Sequence, residues 1–283
     1  MELRDRVAVV TGAASGIGEA VARRFRQEGA RHVVVADLDG ARARDVAASI
    51  GGTAAELDVG DEAAVAELVA TTEREHGAVD VFFSNAGYVT VGGLEAPVED
   101  LDRMWRVHVL AHLFAARAVI PGMVERGEGY VLSTASAAGL LTQFASLHYA
   151  ITKRAAIALA EWVAITHGHQ GIHVSVLCPQ AVATRIEENS PNAGEEAEVG
   201  FDAGVASADG IMQPEEVAAC CVEAMREERF HILPHAEVGE YVRRKAEDVD
   251  RWIGGMQRWQ GSLFPAQAHP ALRFTGVDPQ KQG

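Results

Sequence analysis

The sequence predicts an α/β fold, a doubly wound parallel sheet in a single domain, and three observations carry that expectation. Short apolar runs rich in β-formers alternate with amphipathic stretches through the first 185 residues, the pattern of a parallel sheet covered by helices on both faces. A glycine-rich stretch, Thr11 to Gly18, stands where the first strand gives way to the first helix. No Pro/Gly/Ser-rich or charged linker divides those residues, and 283 residues with 48% hydrophobic content suffice for one large core.

Taken in order, Arg6–Val10 reads as a strand and Gly16–Gln27 as a helix that ends at Gly29. His32–Ala36 is a second strand, followed by a helix from about Ala41 to Ser49. Thr53–Leu57 is a third strand, and Glu62–Glu75 a third helix closing at Gly77. Val79–Ser84 is a fourth strand, and Leu101–Glu125 a long helical region interrupted at Pro121, which lacks the N–H a helix interior uses. Gly129–Ser133, a helix over His148–Thr166 and a sixth strand, Ile172–Leu177, complete the regular part. Crossovers between parallel strands are right-handed, which gives the doubly wound arrangement.

After Pro179 the periodicity fades, and 185–212 read as a loop of the length that usually carries function. Pro214–Arg226 is a helix with Pro at its start and Glu in its first turn. Phe230–Leu233 is a short seventh strand and Val238–Arg258 a terminal helix. The domain is therefore expected over 1–260, and 261–283, rich in Pro, Gln and Gly, as an irregular tail.

Twenty-five basic against 40 acidic residues give a formal charge of −15. A surface of that sign repels phosphate backbones and anionic lipid, which argues against nucleic-acid and membrane partners. The apolar run Val7–Val10 is too short for a signal peptide, and no run approaches the roughly 20 apolar residues that span a bilayer. A cytoplasmic location follows as the expectation. Cys178, Cys220 and Cys221 form no metal-binding spacing, and His167 and His169 read as a helix end, so no metal site is expected.

The stretch Thr11-Gly12-Ala13-Ala14-Ser15-Gly16-Ile17-Gly18 suits a dinucleotide. Gly12, Gly16 and Gly18 let backbone N–H groups, including those near Ser15 and Ile17, approach a pyrophosphate at the positive end of a helix. Asp37 lies 19 residues after Gly18 at the end of the second strand, where its carboxylate can accept from ribose hydroxyls and repel a 2′-phosphate. Leu38 follows it, and no Lys or Arg occurs in the glycine stretch, so NAD is favoured over NADP. Asp58-Val59 and Ser84-Asn85-Ala86-Gly87 end the third and fourth strands. Ligands of open parallel sheets bind along such carboxyl ends.

Tyr149 and Lys153 stand four residues apart, on one face of the expected helix. A tyrosine titrates near pH ~10 and is a poor base at neutrality. A neighbouring ammonium lowers that value and makes the phenol a usable acid/base. Ser136, 13 residues upstream and just past the fifth strand, adds a hydroxyl at the same groove.

Together TGAASGIG (11–18), Asp37, Asp58-Val59, SNAG (84–87), Ser136, YAITK (149–153) and the stretch from Pro179 to Thr184 resemble the short-chain dehydrogenase/reductase (SDR) family, over about residues 5–185. The resemblance implies a Rossmann fold and hydride exchange between a nicotinamide and a substrate carbon. Tyr149 would be the general acid/base, and Lys153 would lower its pKa and bind the nicotinamide ribose. Ser136 would hold the substrate oxygen. Asn85, Ala86 and Gly87 would line the cofactor groove, with Pro179, Val182 and Thr184 at the carboxamide end. Family members are commonly homodimers or homotetramers built through the helices at 101–125 and 148–168.

Two positions depart from the family pattern. His108 stands where the family carries an asparagine that helps hold a water in a proton relay. Three readings of His108 are open: a tolerated substitution, an alternative relay member, or a mark of lost activity. Under the first, His108→Asn keeps or raises turnover and simplifies the pH profile. Gln180 replaces a glycine and lacks its freedom at positive φ, which suggests a different local backbone path.

The implied activity is an NAD(H)-dependent oxidoreductase interconverting a secondary alcohol and a ketone. Leu140, Leu141, Gln143, Phe144 and His148, with Tyr88 and Val89, are mostly apolar and suggest a hydrophobic small molecule, with Gln143 and Phe144 as substrate contacts. The acids of 185–212 disfavour a strongly anionic one. Two alternatives are a cofactor-binding regulatory homologue disabled at His108, and an epimerase or lyase on the same scaffold.

Overall fold

The computed structural model describes residues 1–90, 92–94, 96–186, 188, 190 and 209–263. Seven parallel strands form one sheet in the order β3-β2-β1-β4-β5-β6-β7. They are β1 (Val7–Thr11), β2 (His32–Asp37), β3 (Thr53–Glu56), β4 (Val81–Ser84), β5 (Gly129–Thr134), β6 (Ile172–Leu177) and β7 (His231–Ile232). The order reverses between β1 and β4, and a ligand crevice belongs at that point, outside the carboxyl ends of the strands.

Strand alternation divides the core. Val9, Val34, Phe82, Val131 and Val174 face one side, under α3 (Glu62–His76), α5 (Ala111–Arg126) and α7 (Leu147–His167). Ala8, Val10, Val33, Phe83 and Leu132 face the other, under α1 (Gly16–Gln27), α2 (Gly40–Ile50) and α8 (Pro214–Glu227). Side-chain carboxylates start two of these helices: Asp39 accepts from Arg42 N, and Asp61 from Ala63 N and Ala64 N.

Four differences from the expected elements have local causes. Pro121 lies inside α5, which continues to Arg126 because flanking Val119, Ile120 and Met123 are anchored in the core. α4 (Val98–Trp105) runs into α5 through a π-helical turn, Arg106–Leu110. The terminal helix divides into α9 (Glu237–Glu247) and α10 (Val249–Leu263) at Asp248, whose backbone is extended and whose carboxylate accepts from Arg251 N at 2.9 Å. A short helix that the periodicity did not reveal, α6 (Ala137–Leu141), follows β5 and is capped by Ser136.

The run Val98–Arg126 corrects one further expectation. By length and composition it is enough to cross a membrane, yet half of its most apolar window is buried within the fold. Its apolar residues serve the core beneath the sheet. Most of the substrate loop expected at 185–212, and the tail beyond Leu263, lie outside the described residues. The loop's ends meet. Val182 pairs with Met212 in an isolated parallel bridge, with Ala183 N donating to Met212 O and Met212 N to Ala181 O.

Candidate active site

A cleft of about 1220 Å³ runs along the carboxyl ends of the strands. It gathers Gly12, Ser15, Gly16 and Ile17 from the first turn, Asp37 and Leu38 after β2, Asp58 and Val59 after β3, and Asn85 to Gly87 after β4. Ser136, Gln143, Tyr149, Lys153, Pro179, Val182 and Thr184 line the same space. Gly18, Phe144 and His108 do not. Gly18 lies beneath the turn, where a Cβ would come within 2.2 Å of Gly12 O. Phe144 packs edge-on against Trp259, ring centroids 5.6 Å apart.

The glycine turn is built as a cradle. Gly12 has φ +63°, and a Cβ there would meet Ala86 Cα at 2.7 Å. Asn85 ties that turn to β4 and β5: its amide donates to Thr11 O at 3.1 Å, and its oxygen accepts from Thr134 Oγ1 at 2.9 Å. Asp37 accepts from Ala14 N and from Asp39 N, both at 2.9 Å, which fixes its carboxylate at the rim. Backbone kept bare of side chains and a fixed strand-end carboxylate are what a dinucleotide requires, so these residues fit that cofactor. The sequence reading missed Arg42, which shares this end of the cleft but pairs with Asp39 at 3.4 Å.

At the opposite end, Lys153 Nζ donates to Thr134 O at 3.0 Å and lies 5.5 Å from the Tyr149 ring centre. Both side chains are buried. Burial pushes Tyr149 up to about 12, opposed by a hydrogen bond with Ser136, and pulls Lys153 down to about 7. Desolvation thus outweighs the depression of Tyr149 expected from the neighbouring ammonium. Ser136 Oγ accepts from Ala138 N at 3.1 Å as the cap of α6, and that bond fixes its direction.

His108 occupies the centre of the π-helical turn, fully buried. Tyr88 N donates to its Nε2 at 3.2 Å, and its Nδ1 lies 3.0 Å from Thr152 Oγ1. Since Nε2 accepts, Nδ1 carries the proton and donates to Thr152, whose own hydroxyl donates to His148 O at 2.9 Å. Burial, with Lys153 nearby, holds His108 well below its ordinary pKa and neutral. One turn on, His112 is buried too, with Nδ1 2.7 Å from Ser84 Oγ. Burial lowers it to about 3.

Among the described residues, Gln180 is not one of the non-glycine positions with positive φ. Its N–H donates to Nδ1 of buried His235, beyond β7. Tyr241, Trp252, Met256 and Trp259, from α9 and α10, close the cleft. Sequence reasoning missed them, although Trp252, Met256 and Trp259 recur at the helical spacing i, i+4, i+7. Thr152 was missed inside the YAITK motif itself.

A doubly wound seven-stranded sheet with a glycine cradle at its first turn is a Rossmann-type fold. The profile of the short chain dehydrogenase family matches residues 6–194, and the chain belongs to this family of oxidoreductases. It is 34% identical over 262 residues to a 1-deoxy-11-beta-hydroxypentalenate dehydrogenase of Streptomyces exfoliatus, covering 89% of this chain and 91% of that one. A meso-2,3-butanediol dehydrogenase of Serratia marcescens is 33% identical over 223 residues, covering 77% of this chain and 86% of the relative. Among solved structures, a short-chain dehydrogenase/reductase from Burkholderia phymatum in complex with NAD superposes with a TM-score of 0.79 at 30% identity, over 88% of this chain and 96% of that one.

Proposed function

We propose that the protein interconverts a secondary alcohol and a ketone with NAD(H), Tyr149 exchanging the proton on the substrate oxygen. The observation that carries this reading is the convergence of Ser136, Tyr149 and Lys153 at the end of the cleft away from Asp37 and Leu38. A bound nicotinamide would supply or accept the hydride.

The chain's own residues divide the remaining work. Gly12, Ser15, Gly16 and Ile17 receive the pyrophosphate, with Gly18 giving the turn room from below. Asp37 takes the adenosine ribose hydroxyls, and Leu38, Asp58 and Val59 flank that end. Asn85, Ala86 and Gly87 form the middle of the groove. Pro179, Val182 and Thr184 meet the carboxamide end. Ser136 orients the substrate oxygen toward Tyr149, and Lys153 holds the nicotinamide ribose. A cation brought beside Tyr149 favours phenolate.

His108 acts as a positioning residue. Both ring nitrogens are engaged and the ring stays neutral, which favours the tolerated substitution over a relay role. Both relatives named above carry names of hydroxylated small molecules, in keeping with an alcohol substrate; Gln143 lines the cleft beside it. The proposed assembly is a homodimer or homotetramer in the cytoplasm. The large apolar side chains Trp105, Ile151, Trp162 and Ile165, exposed on α4 and α7, support it.

Absorbance of NADH across a panel of secondary alcohols and ketones tests the reading. Turnover is expected in the wild type, with a loss of about 10²- to 10⁴-fold in Tyr149→Phe. Cofactor binding without turnover across the panel would instead support the regulatory alternative. Product formed without net change in NADH would support the epimerase or lyase.

A further inference from the structure

The outer part of the cleft holds polar atoms that the proposed reaction does not use. Asp209 lines it, with Oδ1 accepting from the Tyr241 hydroxyl at 3.0 Å. Its Oδ2 is shielded from solvent and has no partner among the described residues. A carboxylate oxygen only accepts, so no rotation of the group removes the need for a donor. Gln180, on the same lining, likewise presents a shielded amide oxygen without a partner among the described residues. Trp252, Met256 and Trp259 line the same cleft with apolar surface.

Buried acceptors in native proteins are almost always satisfied, and one without a partner among the described residues calls for a donor from elsewhere, such as a bound molecule. Tyr241 matters because it spans both features. Its hydroxyl fixes Asp209, while its ring lies 6.3 Å from that of Trp252. The carboxylate is thereby tied to a ring that stands beside Trp252.

We infer that this region is a second substrate anchor, with Asp209 as its principal acceptor, and that the substrate is an apolar alcohol or ketone bearing a second hydroxyl. The inference rests on the proposed dehydrogenase reading, and it names the substrate class that reading leaves open. The carbinol or carbonyl carbon sits at Ser136 and Tyr149, the carbon skeleton lies along Trp252 and Met256, and the distal hydroxyl donates to Asp209 Oδ2. Gln180 assists as a second polar contact.

Cyclohexane-1,2-, 1,3- and 1,4-diol, each compared with its monomethyl ether, test this in the full-length protein with NAD present. Two readouts are taken: kcat/KM from NADH absorbance, and binding from tryptophan fluorescence, to which Trp252 and Trp259 in the cleft wall contribute. At least one diol is expected to exceed its ether by about tenfold or more, the ordinary worth of a hydrogen bond to a charged group. Asp209→Leu should erase that preference, and the isosteric Asp209→Asn should reduce it. Diols and ethers that are indistinguishable in both readouts would overturn the anchor, as would a preference that survives both substitutions. Diol-selective fluorescence without NADH would leave the anchor standing and count against the dehydrogenase reading.

Discussion

His108 and Thr152 are joined by a 3.0 Å hydrogen bond from Nδ1 to Oγ1, which ties the π-helical turn to the helix carrying Tyr149 and Lys153. The same ring accepts from Tyr88 N on its other side. One imidazole thus sets the spacing between the segment after β4 and α7.

His108→Leu removes both bonds and leaves the Tyr88 N–H unpaired. A loss of about 1–3 kcal/mol is expected, read from denaturant unfolding. His108→Asn retains one polar contact and should keep turnover within several-fold. Because burial keeps His108 neutral, the pH–rate profiles of wild type and His108→Asn should have the same shape. This replaces the simplified profile expected from the sequence.

Lys153 makes stability rise with pH in the cofactor-free protein. Its folded value of about 7 lies below the ordinary lysine value of 10.5, so between those pH values the unfolded chain binds more protons than the folded one. The denaturation midpoint contributed by this group should climb from about pH 7 toward 10.5. In Lys153→Met that rise should vanish, along with activity. Unfolding midpoints at pH 7, 8.5 and 9.5 decide the matter.

His112 gives the opposite end of the range a slope of the same sign. With a folded value of about 3, its contribution is complete above the ordinary 6.5 and declines as pH falls from there. Wild type should lose more stability than His112→Asn between pH 7 and 5, measured in parallel urea titrations.

Asp37 governs cofactor choice under the proposed function. Asp37→Ser combined with Leu38→Arg removes the repulsion at the ribose rim and adds a cation. The NAD to NADP ratio of kcat/KM should fall at least about tenfold, since one charge-assisted contact carries that much. Loss of the bonds to Ala14 and Asp39 should also raise KM for NAD itself.

Ile165 and Trp162 test the assembly. Both are more than half exposed on α7, and Ile165→Glu with Trp162→Glu should shift light-scattering mass to a smaller species.

Most of the architecture was legible because strand and helix periods are local properties. Val9, Val34, Phe82 and Val131 announce a buried parallel sheet by composition alone, and the glycine turn announces its ligand end. Pro121 misled because core packing on either side outweighs one missing backbone bond. Asp248 was visible as an N-cap only once the helix it starts was known. Thr152, His235 and Tyr241 were illegible for a different reason: each acts through a partner far away in sequence, at 108, 180 and 209 respectively. Periodicity carries no record of such pairings.

The bridge between Val182 and Met212 gives the stretch between them the character of a cassette. Its two ends are clasped by backbone bonds that do not depend on which side chains lie between. Lengthening a segment whose ends are already joined is cheap, about 0.6 kcal/mol for each doubling. The clasp thereby holds Thr184 and Asp209, which stand near its two ends, in one frame with Ser136, Tyr149 and Lys153, which line the same cleft.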